Sequence, residues 1–238
     1  MSISYRFIRF LARIGILRWI RIEVEGLDHV PRTGPCILVP NHQSLLDPFL
    51  VQGVCPREVA TMTKSTQFAS PVIRWILGQV SAFPVRRYRV DPQTVRVLLR
   101  RLSEGKVVCV YPEGERSWDG RLQSFRRGTV RVLLRGGVPV IPVGIEGMYE
   151  VWPRWRGRPR AGRTVFLRFG PPIQFGAQRG RAEREAMLPE AERQLREAIL
   201  TLSGEVERGG VRISAEEGAR IVGEGISGPA GSRGDNEL

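Results

Sequence analysis

The order of apolar runs along this chain predicts an α/β domain, with a mixed and largely parallel central sheet flanked by helices. Three observations carry that prediction. Short, β-branched apolar runs alternate with stretches of helical period from about residue 20 to residue 175. Several runs, such as Cys36-Ile37-Leu38-Val39-Pro40, are apolar without interruption, as strands covered on both faces are. Two of them break off into polar turns rich in ionisable residues. A chain of 238 residues suffices for one sizeable core, and no linker-like composition divides it.

Taken in order, residues 1–19 predict an amphipathic helix. Helical spacing gathers Arg6, Arg9 and Arg13 on one side and Ile3, Phe7, Leu11 and Ile14 on the other. The arginines recur too often for a span of about 20 apolar residues, and no small-residue cleavage site follows an apolar core. The helix therefore lies at a membrane interface or packs its stripe on the protein's own core. Strands are expected near residues 20–25, 36–40, 58–63, 80–86, 107–111, 139–145 and 164–169, with helical stretches at 48–54, 92–103 and 129–135 between them. Leu188, Leu195, Ile199 and Leu202 recur at helical intervals, so the domain of residues 20–203 ends on a helix. Residues 204–238, rich in Gly, Ser, Glu and Arg, have the composition of a disordered tail.

The first polar turn is Asn41-His42-Gln43-Ser44-Leu45-Leu46-Asp47-Pro48. It places an imidazole and a carboxylate five residues apart directly after a strand, and His42 is one of only two histidines in the chain, with His29. A neutral imidazole can take a proton from an alcohol, and a carboxylate can fix its tautomer and stabilise the imidazolium formed. Asp47-Pro48 is equally a good helix start, with Asp as the cap. The second turn, Tyr111-Pro112-Glu113-Gly114-Glu115-Arg116-Ser117, follows Val107-Val108-Cys109-Val110 at a strand's carboxyl end, where α/β folds place ligands. Arg116, aided by Ser117, is suited to grip a phosphate, while Glu113 suits a substrate hydroxyl or the task of holding that arginine. The alternative is an exposed, salt-bridged turn.

Together the two turns resemble the glycerolipid acyltransferases typified by 1-acylglycerol-3-phosphate acyltransferase. Four blocks of that family occur in order: Asn41 to Asp47, Ala82-Phe83-Pro84-Val85-Arg86-Arg87, Tyr111 to Ser117, and Val140-Ile141-Pro142-Val143-Gly144-Ile145. The resemblance implies that His42 is the general base and Asp47 its partner, with Arg86, Glu113, Gly114 and Arg116 in an acceptor-phosphate site. Lys64 stands where the family often carries a lysine, and in a chain with only two lysines it is a further candidate for phosphate or donor. Glu115 departs from the family's usual threonine, and Pro84-Val85 from its aliphatic-acidic pair. The implied reaction is attack of a lysophospholipid hydroxyl, lysophosphatidate foremost, on the thioester of acyl-CoA or acyl carrier protein, with no cofactor and no metal. Glycerol 3-phosphate, another lysophospholipid or a lyso-aminolipid are alternative acceptors. Residues 71–78 then line an acyl groove, dip into lipid or pack in the core.

Composition bears on partners and place. A formal net charge of +13 and a pI near 11.0 attract polyanions. No zinc-finger spacing or RNA-recognition signature is present and the arginines are spread along the chain, so an anionic membrane surface is the expected partner and nucleic acid is not. A non-catalytic basic protein binding membrane or nucleic acid is the rival reading, opposed by the intact His42 and Asp47. Cys36, Cys55 and Cys109 sit in apolar runs, as small buried hydrophobes do; this disfavours a covalent acyl-thioester and fits a reducing compartment. Ser44 is a minor candidate for an acyl-enzyme. The expected location is peripheral, on the cytoplasmic face of a membrane.

Overall fold

The computed structural model describes residue 15 and residues 20–79, 81–85, 92–176 and 180–205. Seven strands, β1 (Ile20–Glu25), β2 (Cys36–Pro40), β3 (Val59–Lys64), β4 (Phe83–Val85), β5 (Val107–Cys109), β6 (Val140–Glu146) and β7 (Arg163–Phe169), form one sheet in the order β1-β7-β6-β2-β5-β3-β4. Every neighbouring pair is parallel except β6 with β7. The expected mixed, largely parallel sheet is therefore the one observed. Among the described residues the helices are α1 (Asp47–Val54), α2 (Pro71–Gln79), α3 (Pro92–Ser103), α4 (Arg127–Gly136), α5 (Met148–Val151) and α6 (Arg181–Leu202). The expected amphipathic helix at residues 1–19 lies outside the described residues except for Gly15, and the expected tail does so from residue 206.

The uninterrupted apolar runs are explained by two cores, one on each face of the sheet. Within β2, Cys36 and Leu38 face a core completed by Leu50 and Val51 of α1 and Met148 and Val151 of α5. Ile37 and Val39 face the other core, filled by Leu98 of α3, Leu133 of α4 and Leu195 and Ile199 of α6. Alternation with period two sends successive residues to opposite faces, and because both faces are covered no polar residue interrupts the run. Pro84, which cannot donate to a ladder, falls on the edge strand β4, where one side of the strand needs no partner. Gly144 is required for close approach: a Cβ built there would lie 2.2 Å from the Leu202 carbonyl carbon, so α6 crosses β6 in backbone contact.

The packed chain continues past the expected domain end at 203. Ser203 and Glu205 are buried, and the Glu205 carboxylate accepts the Leu122 amide at 2.7 Å. Strands β2, β3, β4, β5 and β6 all point the same way, so their carboxyl ends share one rim. His42, Lys64, Pro112 and Gly147 follow or end those strands and are delivered to it.

Candidate active site

Two hydrogen bonds join the two polar turns. The His42 amide donates to Glu113 Oε1 at 2.6 Å, and the Ser117 amide donates to the His42 carbonyl at 2.6 Å. Parallel pairing of β2 with β5 brings the turns side by side, and the second oxygen of Glu113 accepts the Gln123 amide at 2.9 Å. Asn41 anchors the first turn to β6, donating to the Ile145 carbonyl at 2.8 Å and accepting the Ile145 amide at 2.7 Å. Gln43 completes the frame between the Tyr149 amide and the Gly120 carbonyl.

Inside this frame His42 Nδ1 lies 2.8 Å from Asp47 Oδ2. The same oxygen accepts the Gln43 and Ser44 amides, each at 2.7 Å. An oxygen that already takes two N–H donors is an acceptor, so Nδ1 carries the hydrogen and Nε2 presents its lone pair. Asp47 opens α1 without capping it through its side chain; Leu46 is the cap residue, and the carboxylate turns back to His42 instead. The Tyr111 ring stacks under the imidazole with centroids 4.1 Å apart, which fixes the plane of the ring. Asp47 is fully buried whereas His42 retains 9% of its surface, so the imidazole is the member of the pair that solvent or substrate can reach.

The second turn is tightly built. Gly114 has φ +74°, and a Cβ there would meet Arg126 Nε at 2.7 Å, so the turn needs glycine for both conformation and space. Glu113 and Ser117, expected to touch substrate, are 2% and 1% exposed. Both Glu113 oxygens hold backbone amides, and the Ser117 hydroxyl lies 2.7 Å from the Arg121 carbonyl while accepting the Gly120 amide. Their side chains hold the turn together from inside. Arg116 is half-buried. Lys64 ends β3 on the same rim, its backbone paired with Val85, and Arg86 lies outside the described residues.

The cysteines stay apart from this chemistry. All three are free and buried; burial pushes the Cys36 thiol up to about 12 and the Cys109 thiol higher still. Ser44 is buried too, its hydroxyl 3.3 Å from the Leu46 amide. Among the described residues no group of three or more His, Cys, Asp or Glu could hold a metal ion, and no helix is long and apolar enough to cross a membrane.

The acyltransferase family model matches residues 21–146, more than half of the chain, and spans both turns. The chain belongs to the acyltransferase family. It is 32% identical over 157 residues to a chloroplastic 1-acyl-sn-glycerol-3-phosphate acyltransferase of Brassica napus, covering 62% of this chain and 45% of that relative. The bacterial 1-acyl-sn-glycerol-3-phosphate acyltransferase of Pseudomonas aeruginosa is 28% identical over 187 residues, covering 76% of this chain and 69% of the relative. The chain thus spans less than half the length of the chloroplastic relative. Its fold is similar to the crystal structure of the 1-acyl-sn-glycerophosphate acyltransferase PlsC from Thermotoga maritima, with a TM-score of 0.65 and 27% identity over 81% of this chain and 78% of that one.

Several residues of this acyltransferase rim escaped sequence reasoning. Asn41 and Gln43 bond through side-chain amides to residues 104 and 77 positions further along, which spacing along the chain does not reveal. Arg154 is a second case, with Nη1 3.4 Å from Glu115 and 3.1 Å from the Arg116 carbonyl. Apolar side chains are also exposed in this part of the chain: Leu45 in the His42 turn at 47% and Trp155 beside Tyr149 at 41%, with Trp75 of α2 at 63%.

Proposed function

We propose that this acyltransferase moves a fatty acyl group from an acyl thioester, carried by coenzyme A or acyl carrier protein, to the free hydroxyl of a lysophospholipid, with lysophosphatidate as acceptor and phosphatidate as product. The observation that carries the reading is the His42–Asp47 pair stapled to the Glu113–Ser117 turn, which joins a base to a candidate anion grip. The names of the relatives support the choice of acceptor.

In this reading His42 Nε2 takes the proton of the acceptor hydroxyl as its oxygen attacks the thioester carbonyl carbon. Asp47 stabilises the imidazolium so formed. When the tetrahedral intermediate collapses, the C–S bond breaks and the imidazolium returns its proton to the departing thiolate. The products are the acylated acceptor and a free thiol, and atoms and charge balance without any cofactor. Arg116 grips the acceptor phosphate with Arg86 and Lys64, while Glu113, Gly114 and Ser117 shape the turn that presents Arg116. Direct transfer is favoured over an acyl-enzyme because all three thiols are buried, burial raising those of Cys36 and Cys109 well above the usual thiol range, and the Ser44 hydroxyl is fully buried.

Contact with an anionic bilayer at the cytoplasmic face belongs to the same proposal. Trp155 is followed by exposed Arg158, Arg160 and Arg163, an aromatic and basic surface suited to lipid headgroups. The test is thiol release by the purified chain given long-chain acyl-CoA, or acyl carrier protein thioester, with lysophosphatidate, glycerol 3-phosphate or no acceptor. Release stimulated by lysophosphatidate and reduced about a thousandfold or more in His42→Ala, with unchanged melting, is the expected result. Full activity in His42→Ala would remove the mechanism.

A further inference from the structure

The grip proposed for the acceptor phosphate contains its own opposing charge. Glu115 adjoins Arg116, and a free carboxylate there would repel the anion that Arg116 is to hold. Two guanidinium groups from separate parts of the fold meet it. Glu115 Oε1 lies 3.3 Å from Arg126 Nη2, just before α4, and Oε2 lies 3.4 Å from Arg154 Nη1, in the loop after α5. The side chains of Glu115 and Arg154 are 15% and 22% exposed, so water screens this contact less than it screens an ordinary surface pair.

Arg154 does more than neutralise. Its Nη1 also donates to the Arg116 carbonyl at 3.1 Å, and its guanidinium carbon lies 3.4 Å from the centroid of the Trp118 ring. The Trp118 carbonyl in turn accepts the Tyr149 hydroxyl at 3.0 Å, so the surface that carries Arg154 is itself held in place. One cation is thereby fixed against a ring, a carboxylate and the backbone of the residue next to that carboxylate. The Ser117 amide, one residue further on, bonds the His42 carbonyl, so this segment is registered to the base as well.

We propose that Arg154 is a positioning and specificity-determining residue for the acceptor: it shares with Arg126 the neutralisation of Glu115 and alone of the two also holds the Arg116 backbone, making the turn competent for a phosphorylated acceptor despite its carboxylate. The inference rests on the reading of Arg116 as the phosphate ligand. It follows that Arg154 matters because Glu115 is present, and that removing the carboxylate relieves the need for the cation.

The experiment is a double-mutant cycle of wild type, Arg154→Gln, Glu115→Thr and the double variant. Initial rates are read against lysophosphatidate concentration at saturating acyl-CoA, with melting temperature recorded for each. Arg154→Gln removes one of the two cations on Glu115 together with the donor to the Arg116 carbonyl, and is expected to raise KM for lysophosphatidate about tenfold, the low end of the cost of losing hydrogen bonds to a charged group, with kcat within about twofold. In the Glu115→Thr background the same substitution is expected to raise KM by only about twofold. An equal effect in both backgrounds, or a fall in kcat and melting temperature with KM unchanged, would overturn the clamp and leave the acceptor assignment standing. A wild type that turns over other lysolipids and ignores lysophosphatidate would instead overturn that assignment, and the clamp with it.

Discussion

At the rim formed by the amino ends of β2, β3 and β5, one side chain ties the loops together: Arg57 donates to the carbonyls of Pro31, Gly34 and Gly105 at 2.8, 2.6 and 2.7 Å. At the opposite rim the carboxylates of Asp47, Glu113 and Glu205 are withdrawn from water, and Asp47 Oδ1 has no hydrogen-bond partner among the described residues. Burying a carboxylate is costly unless donors meet it. Here the donors are mostly backbone amides, which turn the carboxylates into pins for loops: Glu113 between His42 and Gln123, and Asp47 across its own turn. The first rim closes the fold with partly exposed groups; the second accepts the cost of buried charge to hold an imidazole and an arginine turn in register.

The largest effect that would sharpen this contrast is on turnover at the second rim. Asp47→Asn keeps the size of the side chain and an oxygen for the two amides while removing the charge beside the imidazole. We expect kcat to fall by about a hundredfold or more, with the melting temperature shifted by no more than a few degrees. A variant with near-normal kcat would reduce Asp47 to a turn-building residue.

Arg57→Ala tests the first rim and should reverse the pattern. Three carbonyls lose a charged donor, and only the bond to Gly34 is exposed, so a stability loss of about 2 kcal/mol and a fall of several degrees in melting temperature are expected. Turnover per folded molecule should stay unchanged, measured below the transition. A loss of kcat without a loss of stability would mean that the two rims are coupled through β2 and β5.

The strands and most helices were legible because each is written in local pattern. Uninterrupted apolar runs marked β2 and β6, and helical period marked α3 and α6. The His42–Asp47 pair was legible for the same reason, since both partners fall within one turn. What stayed hidden is made by long-range pairing. Glu113 looked like a substrate ligand because a carboxylate beside an arginine reads as chemistry; only the parallel register of β2 with β5 shows that its oxygens meet the amides of His42 and Gln123. Arg154 was anonymous among many arginines until the fold set it against Glu115 and Trp118.

The smallest effect expected is a pH-dependent one at Glu205, and its sign separates a carboxylate that merely pins a loop from one that also carries an electrostatic cost. Burial is the main cause raising its carboxyl above the usual carboxylate range, opposed by bonds from the Leu122 amide and the Ser203 hydroxyl. A folded-state value raised above the unfolded one means that the folded protein binds the proton more tightly. Its stabilising contribution is therefore full below the unfolded value near 4.3 and is lost as pH rises through the folded value. Glutamine at this position can accept the Leu122 amide and donate to Ser203 without ever ionising. Glu205→Gln should accordingly match the wild type near pH 4 and melt higher than it at pH 8, the difference opening as pH rises through the folded value. Melting curves of both proteins across that range give the difference directly. A wild type that became the more stable of the two as pH rose would show that the ionised carboxylate is a net source of stability, and that its amide and hydroxyl donors more than offset the cost of burial at this rim.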